Sequence, residues 1–366
     1  MFIKKYFIKK LTNNKLVKQN FVYISTIFSL PFIFFFFSLN SALSQTTNGG
    51  YAESYLLRDV GARQIAMAGA YTAIVNEPMG FFYNPAGLSF MSDKATVATM
   101  YSFLEYGRSH STLAWAQQIY ENLGLGFGFN SFNAGTFMSR DFRGNPLGDR
   151  TDWQYSIAGA FSYKIEYASF GLTAKYLTNN LVGSMTNGNG FGFDLGMKFN
   201  VLDLFSFGVC AQNISGRMYW NEPGVHSDFI PFTLRTGIAM EYGLNEGEYQ
   251  TRSSITGETE TKDIPSSHYL LFALDAIYSK NDMSPSIVLG LEAVLHEAIV
   301  FRGGIGLYGE KEGVPQILPM NIWGAGVSIR PELKHMPFKT HFDYSVSSDL
   351  LSRTGLGHHL SLVFEF

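Results

Sequence analysis

Cysteine is almost absent. Cys210 is the single one among 366 residues, which excludes an intrachain disulfide framework and a cysteine-rich metal cluster. Charge is scarce as well: Asp, Glu, Lys and Arg make up 16% of the chain, against about 25% in an average soluble domain. What charge there is lies unevenly. Six of the 27 Lys and Arg precede residue 45 with no acid among them, leaving 21 bases against 30 acids in the remainder. That body has no electrostatic footprint for nucleic acid. Beyond residue 44 no apolar run approaches the roughly 20 residues of a membrane helix. In place of these features stand 46% hydrophobic residues and 16% aromatics, with 33 Phe and 20 Tyr. Such a composition excludes a mainly disordered chain. It requires a surface that is polar but neutral, or one that partly faces lipid.

Residues 1–44 read as a signal peptide. A lysine-rich start is followed by an apolar stretch at 21–39, and the small residues Ala42 and Ser44 place cleavage before Gln45. A retained anchor competes, because about 18 apolar residues can just cross hydrocarbon; Pro31 and the polar stretch after Leu39 favour removal.

The rest of the chain alternates with period two, the pattern of strands. Phe191, Phe193, Leu195, Met197 and Phe199 alternate with Gly192, Asp194, Gly196 and Lys198, so one face is greasy and the other small or polar. Strands are predicted at 94–104, 109–119, 121–130, 153–165, 168–178, 189–200, 204–213, 230–242, 268–278, 285–296, 298–308, 321–330, 339–348 and 358–366. They number fourteen and are longer than the 5 to 6 residues usual in soluble sheets. About ten residues, tilted, rise about 25 Å, the height of a lipid-facing band. The reading is all-β: a 14-stranded antiparallel transmembrane barrel over 94–366. Short connections at 165–168, 200–204 and 296–298 alternate with longer ones at 131–152, 179–188, 214–229 and 309–320, as expected of inner turns and outer loops. The acidic stretch 243–267 breaks that parity, as an inner excursion or a strand miscounted nearby. The last residues, with Leu360, Leu362, Phe364 and Phe366 on one face, suit closure against the first strand.

Residues 45–93 do not alternate. They contain Gly61, Ala62, Arg63, then Met67, Ala68, Gly69 and Ala70, then Glu77, then the turn Asn84, Pro85, Ala86 and Gly87. Neither nucleotide-loop fingerprint is present. This block resembles the opening of the FadL-like outer-membrane barrel superfamily, and within it the PorV/PorQ family of Bacteroidetes. Asp343, Tyr344, Gly355 and the residues after it resemble that family's terminal hairpin, and Phe364 with Phe366 resembles the C-terminal insertion signal of outer-membrane barrels. Two departures stand out: Ala68 replaces a usual glycine, and Asn76 stands where an acidic pair is common. The resemblance implies an outer-membrane location and a plug or hatch formed by residues 45–93. A lumen about 28 Å across, as fourteen tilted strands would enclose, needs such a filling.

No catalytic, cofactor or metal motif is present: there is no HExxH, no GxSxG and no partner for Cys210. Mixed charge and aromatics at Phe137, Arg140, Asp141, Phe142 and Arg143, and again at Tyr219 and Trp220, suggest a partner-binding rim. The PorV/PorQ resemblance implies a noncatalytic role in type IX secretion, with the translocon and exported cargo as partners beside membrane lipid. The alternative is a FadL-like channel for passive uptake of a hydrophobic small molecule.

Overall fold

The computed structural model describes residues 53–181, 187–201, 204–221, 227–244, 247–252, 259–264, 267–280, 285–307, 321–331, 336–349 and 355–366. The predicted leader, the first residues of the 45–93 segment and the whole 309–320 loop lie outside them. One sheet holds fifteen strands, one of which is the two-residue Asp228–Phe229. The other fourteen form the ring: β1 (Thr96–Phe103), β2 (Ser109–Tyr120), β3 (Leu123–Arg140), β4 (Pro146–Ile165), β5 (Ala168–Leu181), β6 (Asn187–Val201), β7 (Phe205–Trp220), β8 (Thr233–Gly243), β9 (Tyr269–Ser279), β10 (Ser286–His296), β11 (Ile299–Leu307), β12 (Asn321–Ile329), β13 (Lys339–Ser348) and β14 (Leu356–Glu365). Each pairs antiparallel with the next in sequence, and β14 returns to β1 with Phe364 opposite Val97 and Leu362 opposite Thr99. No barrel edge is left open. Phe366 adds a backbone hydrogen bond to Ala95 (3.0 Å), and the Phe338 ring packs on those of Phe364 and Phe366.

The alternation has the sense a membrane barrel requires. Phe191, Phe193, Leu195 and Met197 point outward and are exposed, whereas Asp194 and Lys198 point inward and are buried. The same division places Phe272 and Leu274 outside and Asp275 inside on β9. A soluble barrel would hide the greasy face; this one presents it to lipid.

Two sequence expectations change. The 131–152 stretch is not a loop but a hairpin arm: Phe137 pairs with Arg150 and Met138 with Asp149, and only 141–145 turn. Asp141 closes that turn by accepting the backbone N–H of Arg143 (2.9 Å) and Asn145 (2.8 Å). Alternation stops at the lipid boundary because no apolar solvent lies beyond it, but backbone pairing continues. The 243–267 stretch contains a separate hairpin, Gly247–Arg252 with Thr259–Ile264, outside the ring order. It follows β8 at the end of the short turns, so parity survives and no barrel strand was missed or invented.

Inside the ring, the wall is built from small residues. Ala98, Ala114, Ala158 and Ala273 face inward, and many large side chains of the core come from the segment before β1, among them Met67, Tyr71, Phe81 and Leu88. At several inward positions even a methyl is excluded: a Cβ on Gly208 would overlap the Thr72 carbonyl, and one on Gly304 would overlap the backbone of Met67 and Ala68. Gly208→Val is therefore expected to lower barrel stability by about 2 kcal/mol through overpacking. Gly159→Ala, where a Cβ meets open space, is expected to change it by under about 0.5 kcal/mol. Urea unfolding midpoints in lipid vesicles check both.

Candidate functional site

The segment that precedes β1 is locally dictated by turn chemistry. Gly61 (φ +94°) starts a short helix, α1 (Ala62–Ala66), whose first N–H, on Ala62, donates to the Ser361 hydroxyl (2.9 Å). Further on, Pro78–Phe82 and Pro85–Phe90 form two 3₁₀ turns, each with proline at its start, where a missing N–H costs nothing. Asn84 locks the second turn. Its Oδ1 accepts from the Ala86 N–H (3.1 Å), and its Nδ2 donates to the carbonyls of Thr72 (3.0 Å) and Met197 (2.9 Å). Ala86 in turn accepts from Ser169 (2.7 Å), and Gly87 gives room to Val75.

Charge ties this segment to the wall. Arg63 holds Glu292 on β10 with two parallel bonds, Nε to Oε2 (2.7 Å) and Nη2 to Oε1 (2.8 Å). Glu292 also accepts from Arg302 on β11 (2.5 Å) and from the Tyr269 hydroxyl on β9 (2.9 Å). Arg302 continues to Asp343 on β13 (2.9 Å) and to Ser328 on β12 (2.8 Å). The result is a buried belt across five successive strands, anchored to α1 by one guanidinium. Glu77 completes the knot: it accepts from Gln64 (2.5 Å) and lies 3.7 Å from both Arg63 and His341. Burial opposes its ionisation, but Arg63 and His341 outweigh that and hold its carboxyl down at about 2. Asn76 supplies a neutral oxygen to Arg63 and to Tyr71 (2.8 Å each), so no acidic pair exists there.

A second anchor lies at Asp275 on β9. It accepts the backbone N–H of Tyr71 (3.0 Å) and Thr72 (2.9 Å) and the Thr72 hydroxyl (2.6 Å). Arg235 on β8 reaches the Gly69 carbonyl (2.8 Å) and stacks on Tyr83. Met67 packs against Gly290 and Gly304. Gly61, Ala62, Arg63, Met67, Gly69, Glu77 and Asn84 to Gly87 are all buried, in a segment that packs on inward-facing residues of the wall. Ala68 has φ +54°, a left-handed backbone that favours glycine.

Among the described residues the lumen holds a small polar cavity. It measures about 30 Å³ and is bordered by Arg58, Asp59, Tyr83, Lys175, Asn213 and Arg235, enough for a water molecule or two. Beside it, near the end of β7, lies a separate apolar cluster of Leu177, Met218 and Ile230 with Leu56 and Trp220 packed on it. Gly188, Gly190 and Gly192 are inward positions of β6, and the β6–β7 register shifts twice between Phe191 and Leu195. On β7, Asn213 (φ +56°) and Ser215 (φ +54°) accommodate the extra residues as bulges.

The predicted rim residues do not converge. Phe137, Arg140, Asp141, Phe142 and Arg143 sit on the β3–β4 arm, where Phe142 is 92% exposed and stacks only with Arg143. Tyr219 is exposed at the end of β7, and Trp220, half-buried, donates to Asp228 (2.7 Å). β5 and β6 stand between the two groups. Sequence reading missed the wall partners Asp275, Glu292, Arg302, Arg235 and Lys175. Their signal was present as charges at inward positions of otherwise apolar alternating strands. Cys210 is buried, and among the described residues no cluster of His, Cys, Asp or Glu is arranged to hold a metal.

Glu292→Gln would leave two buried guanidinium groups short of their charge partner, with an expected loss of about 3 kcal/mol in the urea unfolding free energy. Ala68→Gly is expected to gain up to about 1 kcal/mol in the same measurement by relieving the left-handed backbone. Glu53 supplies a pH test. Burial pushes its carboxyl up to about 7 against the hydrogen bond from Asn179, so its contribution to stability is full below about pH 4.5 and lost as pH rises through about 7. Glu53→Gln should flatten that slope in protease-protection curves of residues 53–93.

No family model matches the chain and no curated protein matches it in sequence. Its fold is similar to that of the toluene transporter TbuX of Ralstonia pickettii, at 14% identity and TM-score 0.50 over 85% of this chain and 98% of that one. It is similar to the toluene transporter TodX of Pseudomonas putida, at 11% identity and TM-score 0.55 over 84% and 98%. A FadL homologue of Pseudomonas aeruginosa gives 11% identity and TM-score 0.51 over the same shares. These likenesses overturn the PorV/PorQ reading and, with it, the type IX secretion role and its cargo and translocon partners: the fold is shared with FadL-type hydrocarbon channels. The physical reason is that the opening motif is a packing signature. Arg63, Glu77 and Asn84 are chosen by the wall they meet, so they report inward packing and not what the barrel's outer surface binds. The chain is an outer-membrane, 14-stranded closed antiparallel β-barrel of FadL-like fold.

Proposed function

We propose that this barrel admits small hydrophobic molecules across the outer membrane by passive diffusion, with residues 45–93 serving as a hatch in the lumen. The observation that carries the reading is the apolar cluster of Leu177, Met218, Ile230, Leu56 and Trp220 beside the glycine-lined, bulged wall of β6 and β7. An apolar solute gains by leaving water for such a cluster. The bulges, beside the inward glycines Gly188, Gly190 and Gly192 of β6, offer a passage from there to lipid. The similarity to proteins described as toluene transporters and a monoaromatic hydrocarbon channel supports that class of solute.

The hatch must shift for a solute to pass deeper, because the cavity behind the cluster is polar and water-sized. Arg63 with Glu292 and Asp275 with Thr72 are the latches. The motif residues Gly61, Ala62, Met67, Gly69, Pro85 and Ala86 serve this reading as the hatch's packing faces. Phe364 and Phe366 serve as the terminal assembly signal, and the exposed β3–β4 tip as a surface contact. No step calls for catalysis or a cofactor.

In a host with an intact outer membrane, expression of the protein is expected to raise the initial uptake of radiolabelled toluene several-fold without any added partner. Gly192→Trp, at an inward position where an added Cβ meets nothing nearer than Asn213 at 3.8 Å, should remove most of that increase while the barrel still assembles. Uptake equal to that of the empty host would defeat the reading.

A further inference from the structure

One transverse row of the lipid-facing wall carries a cation among aromatics. Tyr176 on β5 lies opposite Phe191 on β6, Phe191 opposite Arg217 on β7, and Arg217 opposite Phe229. All four are exposed. The Arg217 guanidinium sits 4.5 Å from the centroid of the Phe229 ring, and the Lys280 ammonium sits 5.8 Å from the same centroid. Lys280 follows β9 directly and continues the outward-facing positions Phe272 and Leu274. Among the described residues neither cation has an ion pair, and the neighbouring acid, Asp228, is engaged by the indole of Trp220.

The level of this row identifies its surroundings. It lies near the end of β7 that leads to the longer connections, the outer end of a barrel of this kind. Aromatic side chains in such a position mark the headgroup boundary. An outward arginine is costly at the bilayer midplane and nearly free at that boundary, where phosphates are its available partners. A guanidinium fork binds phosphate in two-point fashion, and an ammonium adds a point charge. The Phe229 ring holds both cations in place without neutralising them.

We propose that Arg217 and Lys280, gathered over Phe229, form a binding site for the phosphate of an anionic glycolipid in the outer leaflet. The site is on the outer wall, so it stands whether or not the lumen conducts. It gives the bulged β6–β7 region a bound lipid on its membrane side.

The test is native mass spectrometry of the full-length protein in detergent micelles with added bis-phosphorylated lipid A. Wild type is expected to retain this lipid, and the Arg217→Gln/Lys280→Gln protein to bind it at least tenfold more weakly. Arg143→Gln, on the β3–β4 tip, should bind as wild type does. Heat-dependent gel mobility verifies that each barrel is folded, and Lys280→Gln alone, expected to weaken retention several-fold, replaces the double variant if that one does not assemble. Equal retention of dephosphorylated lipid A, or undiminished retention by the variants, overturns the proposal. Displacement of the lipid by low millimolar inorganic phosphate would also overturn it, because the site would then be one for a soluble anion.

Discussion

Everything in this molecule follows from closure of the hydrogen-bonded ring between β1 and β14. In hydrocarbon, no backbone N–H or C=O can be left to water, so a sheet must join its own ends. Closure with fourteen strands settles the inside and the outside at once. The outside takes Phe, Leu and Ile because it meets lipid. The inside is left with a lumen that its own wall side chains, mostly Gly, Ala, Ser and paired charges, do not fill.

The segment before β1 answers that vacancy, and its composition mirrors the wall. Where the wall offers glycine, as at Gly208 and Gly304, the segment brings its backbone; where the wall offers charge, it brings Arg63 or the N–H groups of Tyr71 and Thr72. A buried ion pair is weak evidence of stability against an apolar alternative. It is well suited to holding a body in one place, because losing one partner is far more costly than exchanging both. The bulges of β7 are the counterpart in the wall: they interrupt a ladder that elsewhere pairs residue for residue over long stretches.

Much of this was legible before any coordinates. Alternation at 189–200 placed Phe191 and Asp194 on opposite faces, and strand length separated a membrane barrel from a sandwich. The block from Gly61 to Gly87 marked a closely packed, nonalternating segment, because close packing demands glycine, proline and asparagine at particular turns. The same block misled about role. Its residues face inward, so they record how the lumen is filled, whereas a secretion partner would be chosen by outward loops whose sequences carry no such constraint. The β3–β4 arm was mistaken for a loop for a related reason: beyond the membrane, pairing needs no greasy face, so Phe137 opposite Arg150 leaves no period to read.

The amino-acid order by itself determined the strand number, the lipid-facing side of each strand and the existence of a nonalternating body before them, because all three depend on period and length. Only the tertiary structure decided which wall charges meet it. Glu292, Arg302 and Asp343 are adjacent because their strands are neighbours in the ring, and Arg63 finds them across more than two hundred residues of chain. Nor does local order reveal that Arg217, Lys280 and Phe229 share one spot, since that proximity is made by registers summed around the barrel. Periodicity is a property of segments; coincidence of side chains is a property of the closed ring.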